Sequence, residues 1–209
     1  MPTIIPIVEG AGDVAAVPIL LWKLLAELDR HDIQIGQPQN AHGGGNLTRP
    51  GGIERFVQNA WTKHDCGAVL ILMDSDKQCP REIATDFSRR IQSIGLRFPV
   101  VTVIAKCEYE AWFLASIQTI SGQVLGGRPG ILGGLQSLEE VEDIIAAKGW
   151  LSRQFPKGRI YKETFDQAAM TSLLDPIQAR DRSRSFRRLC HALEQAIEAI
   201  DPGQTIISP

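Results

Sequence analysis

Apolar residues fall along this chain in two rhythms. Ile4 to Val8, Ala68 to Met73 and Phe98 to Ala105 are nearly unbroken apolar runs of strand length. Such runs predict strands buried on both faces, as in a parallel sheet covered by helices on either side. Ile33 and Ile35 alternate with polar residues and predict a shorter edge strand. The second rhythm is helical. Val17, Leu20, Leu21, Leu24, Leu25 and Leu28 form a stripe on a helix expected from Asp13 to Arg30, with Asp13 as its amino cap. Ile53, Phe56, Val57, Ala60 and Trp61 mark a helix from Ile53 to Lys63, and another is expected from Pro80, acceptable in a first turn, to Ile94. Glu108 to Ile117 reads as helical, with Trp112, Phe113 and Ile117 inward.

Strand, turn and helix in succession is the α/β unit. The pattern changes at Ser121, where a glycine-punctuated loop precedes three expected helices, Leu138 to Ala147, Glu163 to Leu174 and Ser185 to Ile200. The expected architecture is a mainly parallel, four-stranded α/β core over residues 1–120 with helices on its faces, followed by a helical extension over residues 121–209 that packs on it as one unit. The loop from Pro38 to Gly52, with Gly43-Gly44-Gly45, reads either as a backbone approach to phosphate or as a flexible connection.

Composition narrows the function without naming it. The 209 residues are 44% hydrophobic and 22% charged, ordinary for a soluble globular protein and enough for one well-buried domain. No apolar stretch reaches the roughly 18 residues that span a bilayer, and Met1-Pro2-Thr3 does not open a secretory signal, so a cytoplasmic location is expected. Cys66, Cys79, Cys107 and Cys190 form no Cys-x-x-Cys pair, which argues against a zinc knuckle or a disulfide framework. There is no Gly-x-Ser-x-Gly elbow, and Gly10-Ala11-Gly12 lacks the third glycine of a dinucleotide fingerprint. The net charge of −2 conceals a basic segment: between Lys148 and Arg188 ten Lys or Arg stand against four acids. Anionic partners would be drawn there.

The acids gather at strand ends. The central run finishes in Asp74-Ser75-Asp76, the first in Glu9-Gly10, and the third in Lys106-Cys107-Glu108-Tyr109-Glu110. In parallel α/β sheets ligands bind at the carboxyl ends of the strands. Carboxylates crowded there resist joint ionisation unless a cation joins them, and a hard divalent ion such as Mg²⁺ is the usual one. Lys106 reads as steadying either a phosphate or a neighbouring carboxylate, and Lys162, Arg182, Arg184 and Arg188 as either nucleic-acid contacts or a solvated helix face.

The acid and glycine after the first strand, with Asp-x-Asp after the central one, resemble the TOPRIM fold of topoisomerases, bacterial primases and overcoming-lysogenization-defect nucleases. Ile7-Val8-Glu9-Gly10, Leu72-Met73-Asp74-Ser75-Asp76, Glu108-Tyr109-Glu110-Ala111-Trp112, Tyr161-Lys162-Glu163-Thr164 and Ser183-Arg184-Ser185-Phe186 together look like a bacterial TOPRIM-like family, domain-of-unknown-function family four-two-seven-six. The resemblance implies a metal role or proton transfer for Glu9 and Mg²⁺ (or Mn²⁺) ligation by Asp74 and Asp76, with Glu108 or Glu110 completing a second position. Two residues apart on a helix face opposite ways, so one of this last pair is expected at the site, Glu110 ahead of Glu108. It also implies a metal-dependent nuclease acting on nucleic acid, DNA ahead of RNA, beside an ATPase partner in phage defence. A homodimer is left open. The alternatives are a non-catalytic binding module of the same fold and a phosphohydrolase of a small phosphorylated metabolite.

Overall fold

The computed structural model describes residues 1–96, 98–200 and 205–208. The first strand, β1 (Thr3–Val8), leads into helix α1 (Ala11–Glu27), and two short strands follow, β2 (Gln34–Ile35) and β3 (Gln39–Asn40). Helices α2 (Gly44–Thr48) and α3 (Gly52–Trp61) precede the central strand β4 (Cys66–Asp74), and α4 (Pro80–Gln92) leads to β5 (Val100–Ala105). Two short helices, α5 (Ala111–Ala115) and α6 (Ile117–Ile120), and a hairpin of β6 (Val124–Leu125) and β7 (Arg128–Pro129) come next. A 3₁₀ turn at Val141–Asp143, helix α7 (Ala147–Gln154) and a π-turn at Glu163–Gln167 carry the chain to α8 (Ala168–Leu173), α9 (Pro176–Arg182), α10 (Arg184–Ile200) and the last strand, β8 (Ile207–Ser208).

The sheet is parallel throughout, in the order β2-β1-β4-β5-β8, with β3 also on β1. This is the expected α/β class, but among the described residues the sheet has six strands rather than four. The additions, β3 and β8, are two residues long and hold only through pairing with distant β1 and β5, so they carry no pattern of their own. The apolar strand runs have their expected cause. Along β4, Leu70 and Leu72 face the core formed with α1 and the C-terminal helices, whereas Val69, Ile71 and Met73 face the core formed with α3 and α4.

Several boundaries differ from the sequence reading. Helix α1 starts at Ala11 with Gly10 at its amino cap; Asp13, in the first turn, accepts the Gly10 N–H at 2.9 Å through Oδ2. The helix expected over Leu138 to Ala147 is absent, and α7 begins where it was to end. Glu140 takes a positive φ of 47°, which breaks a helix, and this lays the carboxylate of Glu142 across the start of α10, where it accepts the Ser185 N–H at 2.7 Å. Ser183, not Ser185, caps α10: its Oγ accepts the Phe186 N–H at 3.0 Å, while the Ser185 hydroxyl takes the Trp112 indole N–H at 2.9 Å. The segment from Glu163 is a π-turn before it becomes α8, and α9 was not foreseen.

The glycine-rich loop is ordered by Arg90 of α4. Its guanidinium binds both oxygens of Glu54, at 2.8 and 2.7 Å, and donates to the carbonyls of Thr48 and Arg49 at 2.9 and 2.7 Å. These are charge-assisted bonds on a side chain only 14% exposed. Arg90→Ala is expected to lower stability by about 2–3 kcal/mol in urea denaturation; a loss under about 0.5 kcal/mol, the level of an ordinary surface change, would show that the loop holds without it.

Candidate active site

Strands β1 and β4 are neighbours in register, Val8 opposite Leu72, so their carboxyl ends finish side by side. A cleft of about 460 Å³ opens there, lined by the carboxylates of Glu9, Asp13, Asp74, Glu110 and Glu163 and by Lys148. Asn40, His42 and Gly43 of the glycine-rich loop form another wall. That wall is tied to β1, because Ala41 N–H donates to the Val8 carbonyl and Gly43 N–H to that of Glu9.

Each acid is held differently. The Asp74 N–H donates to Glu9 Oε2 at 3.3 Å, and Asp74 Oδ1 accepts the Tyr109 N–H at 2.8 Å. Glu110 is buried, 1% exposed; its Oε1 accepts the Tyr161 hydroxyl at 2.8 Å, whereas Oε2 has no hydrogen-bond partner. Asp13 Oδ1 accepts from the Gln167 amide at 2.7 Å. The Lys148 ammonium stands among them, 2.7 Å from Glu163 Oε1, 3.7 Å from Asp74 Oδ2 and 3.8 Å from Glu110 Oε2.

The electrostatics follow from crowding and burial. Burial and the adjacent Glu110 push the Asp74 carboxyl well above the usual range, against the pull of Lys148. Burial raises Glu110 to about 7, although Lys148 and the Tyr161 hydrogen bond oppose it. Burial also raises Asp13. For Lys148 burial works against the charge, but Glu110, Glu163 and Asp74 outweigh it and keep the ammonium protonated. One cation thus faces five acids.

The Glu110 shift has a testable sign. An acid raised from its ordinary 4.5 to about 7 binds its proton more tightly folded than unfolded, so its contribution is complete below about 4.5 and is lost as pH rises through 7. In chelator, stability is expected to fall between pH 5 and pH 8 by an amount on the order of 2 kcal/mol. Glu110→Gln, which keeps an acceptor for Tyr161, should flatten that slope; an unchanged slope would mean that Glu110 titrates normally.

The structure brings Glu9, Asp74 and Glu110 together. Asp76 is exposed and does not line the cleft. The strand's two-residue alternation ends at Asp74, and Asp76 takes a left-handed φ of 49° in the turn beyond, its N–H bonded to the Cys107 carbonyl. Glu108 instead accepts the Lys148 N–H at 2.9 Å, at the amino end of α7. Lys106 is half-buried and is not a lining residue. The arginine run is largely engaged elsewhere: Arg182 donates to the Ala115 carbonyl at 3.0 Å and Arg188 to Ser208 at 2.8 Å, anchoring β8, while Arg184 is exposed. Lys162 is exposed and lines a second cleft.

Asp13, Lys148 and Glu163 were not singled out as site residues from sequence. Both Lys148 and Glu163 lie outside the first 120 residues: Glu163 reaches the cleft on the π-turn that packs against α1, and Lys148 at the start of α7, where Glu108 accepts its N–H. Gly12 makes that approach possible: a Cβ there would stand 2.0 Å from Gln167 Oε1 and 2.9 Å from Glu163 Cβ. This close approach accounts for Gly12.

The five acids offer oxygen donors, as hard divalent cations require, and Glu110 Oε2, which accepts no hydrogen bond among the described residues, is a ready ligand atom. The residues therefore fit such an ion. Among the described residues, however, no three His, Cys, Asp or Glu side chains stand in the arrangement of a preformed metal site. Among the described residues, too, no helix is long and apolar enough to cross a membrane.

Comparison with known proteins gives a family. The family model described as "Domain of unknown function (DUF4276)" matches residues 8–194. The structure is similar to that of the C-terminal region of the Burkholderia pseudomallei OLD protein, at 14% sequence identity and a TM-score of 0.47, over 96% of this chain and 99% of that one. No curated protein matches.

Proposed function

The chain belongs to the DUF4276 family, and from the acidic cleft we propose that it is a metal-dependent phosphodiester hydrolase, a TOPRIM-type nuclease that acts on DNA beside an ATPase partner. The observation that carries this reading is the charge imbalance at the carboxyl end of the central strand: among the described residues, five carboxylates line a cleft with one lysine, and one buried carboxylate oxygen accepts no hydrogen bond. The likeness of Ile7-Val8-Glu9-Gly10 and Asp74-Ser75-Asp76 to TOPRIM motifs supports it.

Glu9, Asp74 and Glu110 would hold Mg²⁺ or Mn²⁺. When bound, the ion supplies the charge that polarises a phosphodiester and acidifies a water molecule. The chain's own groups do the rest. The Tyr109 N–H fixes the Asp74 carboxylate, the Tyr161 hydroxyl fixes Glu110, and burial keeps that phenol protonated as a donor. Lys148 offers the positive charge that draws a phosphate into the cleft, and Glu9, least encumbered of the three acids, is placed to take a proton.

The test is nicking of supercoiled plasmid by the purified chain in Mg²⁺ or Mn²⁺ and in chelator, with Asp74→Asn alongside. Cleavage that needs the metal and Asp74 is the expected result; equal cleavage by both proteins, or in chelator, would sink the reading. The second reading is a non-catalytic module of the same fold. It is favoured by the Lys148 ammonium, which already neutralises part of the cluster, and it predicts no metal-dependent nicking even with the partner ATPase present.

A further inference from the structure

The π-turn that sends Glu163 and Gln167 into the acidic cleft also contributes to a second cleft, of about 820 Å³. Arg128, Arg159, Ile160, Lys162, Phe165 and Asp166 line it. Three cations stand against one acid. Asp166 is paired with Arg159 and accepts the Lys162 backbone N–H, and the Lys162 side chain is exposed. Arg159 carries a buried nitrogen, Nη1, with no acceptor. A buried donor left unmade is costly.

The apolar part is as unusual. Phe165 is 57% exposed and Ile160 60% exposed, side by side on a surface otherwise cationic. The Arg128 guanidinium lies 4.9 Å from the centre of the Phe165 ring. Arg128 is presented by the β6–β7 hairpin, whose two-residue turn needs glycine because Gly126 and Gly127 take φ of 54° and 81°. An exposed aromatic ring amid cations matches the chemistry of an unpaired nucleotide, with the base on the ring and the phosphates on the cations. Paired bases expose no face to stack on.

We propose that this cleft binds an unpaired segment of a nucleic-acid strand, a base stacking on Phe165 and its flanking phosphates meeting Arg128, Arg159 and Lys162. The inference rests on the nuclease reading for its substrate class, and it supplies what that reading lacks, a strand-holding surface. Lys162 and Glu163 are adjacent in sequence and line the two clefts in turn, so both clefts draw on the same turn of chain.

The experiment is fluorescence anisotropy of a labelled single-stranded DNA of about 12 nucleotides, within the usual site size, in chelator so that nothing is cut. The wild type is expected to bind it more tightly than the corresponding duplex. Phe165→Ala should weaken binding about tenfold, as loss of one stacked base does, and leave the salt dependence unchanged. Lys162→Gln and Arg128→Gln should each weaken binding and lower the slope against log salt by about 0.7. These three side chains are exposed, and a thermal melt checks that the variants fold. The inference is overturned if the wild type binds no single strand, if Phe165→Ala and Lys162→Gln bind as the wild type does, if duplex is preferred, or if the loss appears in Arg184→Gln instead. Binding is read without metal, so its failure is distinct from a failure to nick plasmid: a chain that binds as described but never cuts keeps this site and loses the nuclease.

Discussion

Asp74→Asn is expected to reduce metal-dependent cleavage by about 10³-fold or more, the several kcal/mol of transition-state stabilisation that a lost metal position forfeits. The substitution is nearly isosteric, and an asparagine oxygen can still accept the Tyr109 N–H that Asp74 accepts at 2.8 Å. Its effect on the fold should have the opposite sign. The Asp74 carboxylate is disfavoured by burial and by Glu110, so removing the charge relieves the folded state. The variant should melt, in chelator, at or above the wild-type temperature. An inactive protein of equal or greater stability places Asp74 in the chemistry. If activity is retained, the cleft is not where phosphodiester bonds are broken; a variant that is inactive because it melts early would show that Asp74 is structural.

Lys148→Met is expected to cost about 2–3 kcal/mol at pH 7.5 in chelator. Removing one partner of a fully buried ion pair costs roughly 3–5 kcal/mol, but Lys148 is 35% exposed and solvent screens part of its interaction. What remains is Glu110, 1% exposed, with Oε2 unpartnered and no cation nearby. Its carboxyl should rise further above the usual range, steepening the loss of stability between pH 5 and 8. Mg²⁺ should recover more than half of the deficit and raise the melting temperature of Lys148→Met more than that of the wild type, because a ligand that binds only the folded state stabilises it. If millimolar Mg²⁺ shifts neither protein, the acids do not share a metal ion and the metal-dependent reading fails with them.

The two variants separate the roles of the cluster's charges. Asp74 lies at the end of β4, where strand geometry fixes its backbone. Lys148 lies near the start of α7, and Glu108 accepts its N–H there, so an acid read from sequence as a metal ligand positions the lysine that faces the cleft. Loss of the Glu108 carboxylate therefore acts on the site through Lys148.

By itself the sequence determined the α/β class, the strand runs that begin at Ile4, Ala68 and Phe98, and the convergence of Glu9, Asp74 and Glu110. The physical reason is that these features are local. A strand buried on both faces must be apolar at every position, a helix packed on it must be apolar at every third or fourth, and a parallel sheet brings the carboxyl ends of its strands to one edge. Asp76 shows where local reasoning stopped: two-residue spacing places it with Asp74 only while the strand lasts, and the strand ends at Asp74. The tertiary structure alone decided which distant residues complete the cleft. Glu163 and Gln167 reach α1 from about 150 positions away because Gly12 leaves room for the π-turn, Lys148 arrives on α7, and neither their spacing nor their type announces it. It also decided how the basic segment is used. Arginines that read as one anion-binding run mostly hold carbonyls and the C-terminal strand, whereas Arg128, Arg159 and Lys162, scattered in sequence, share a surface with Phe165 because a hairpin and a π-turn meet there.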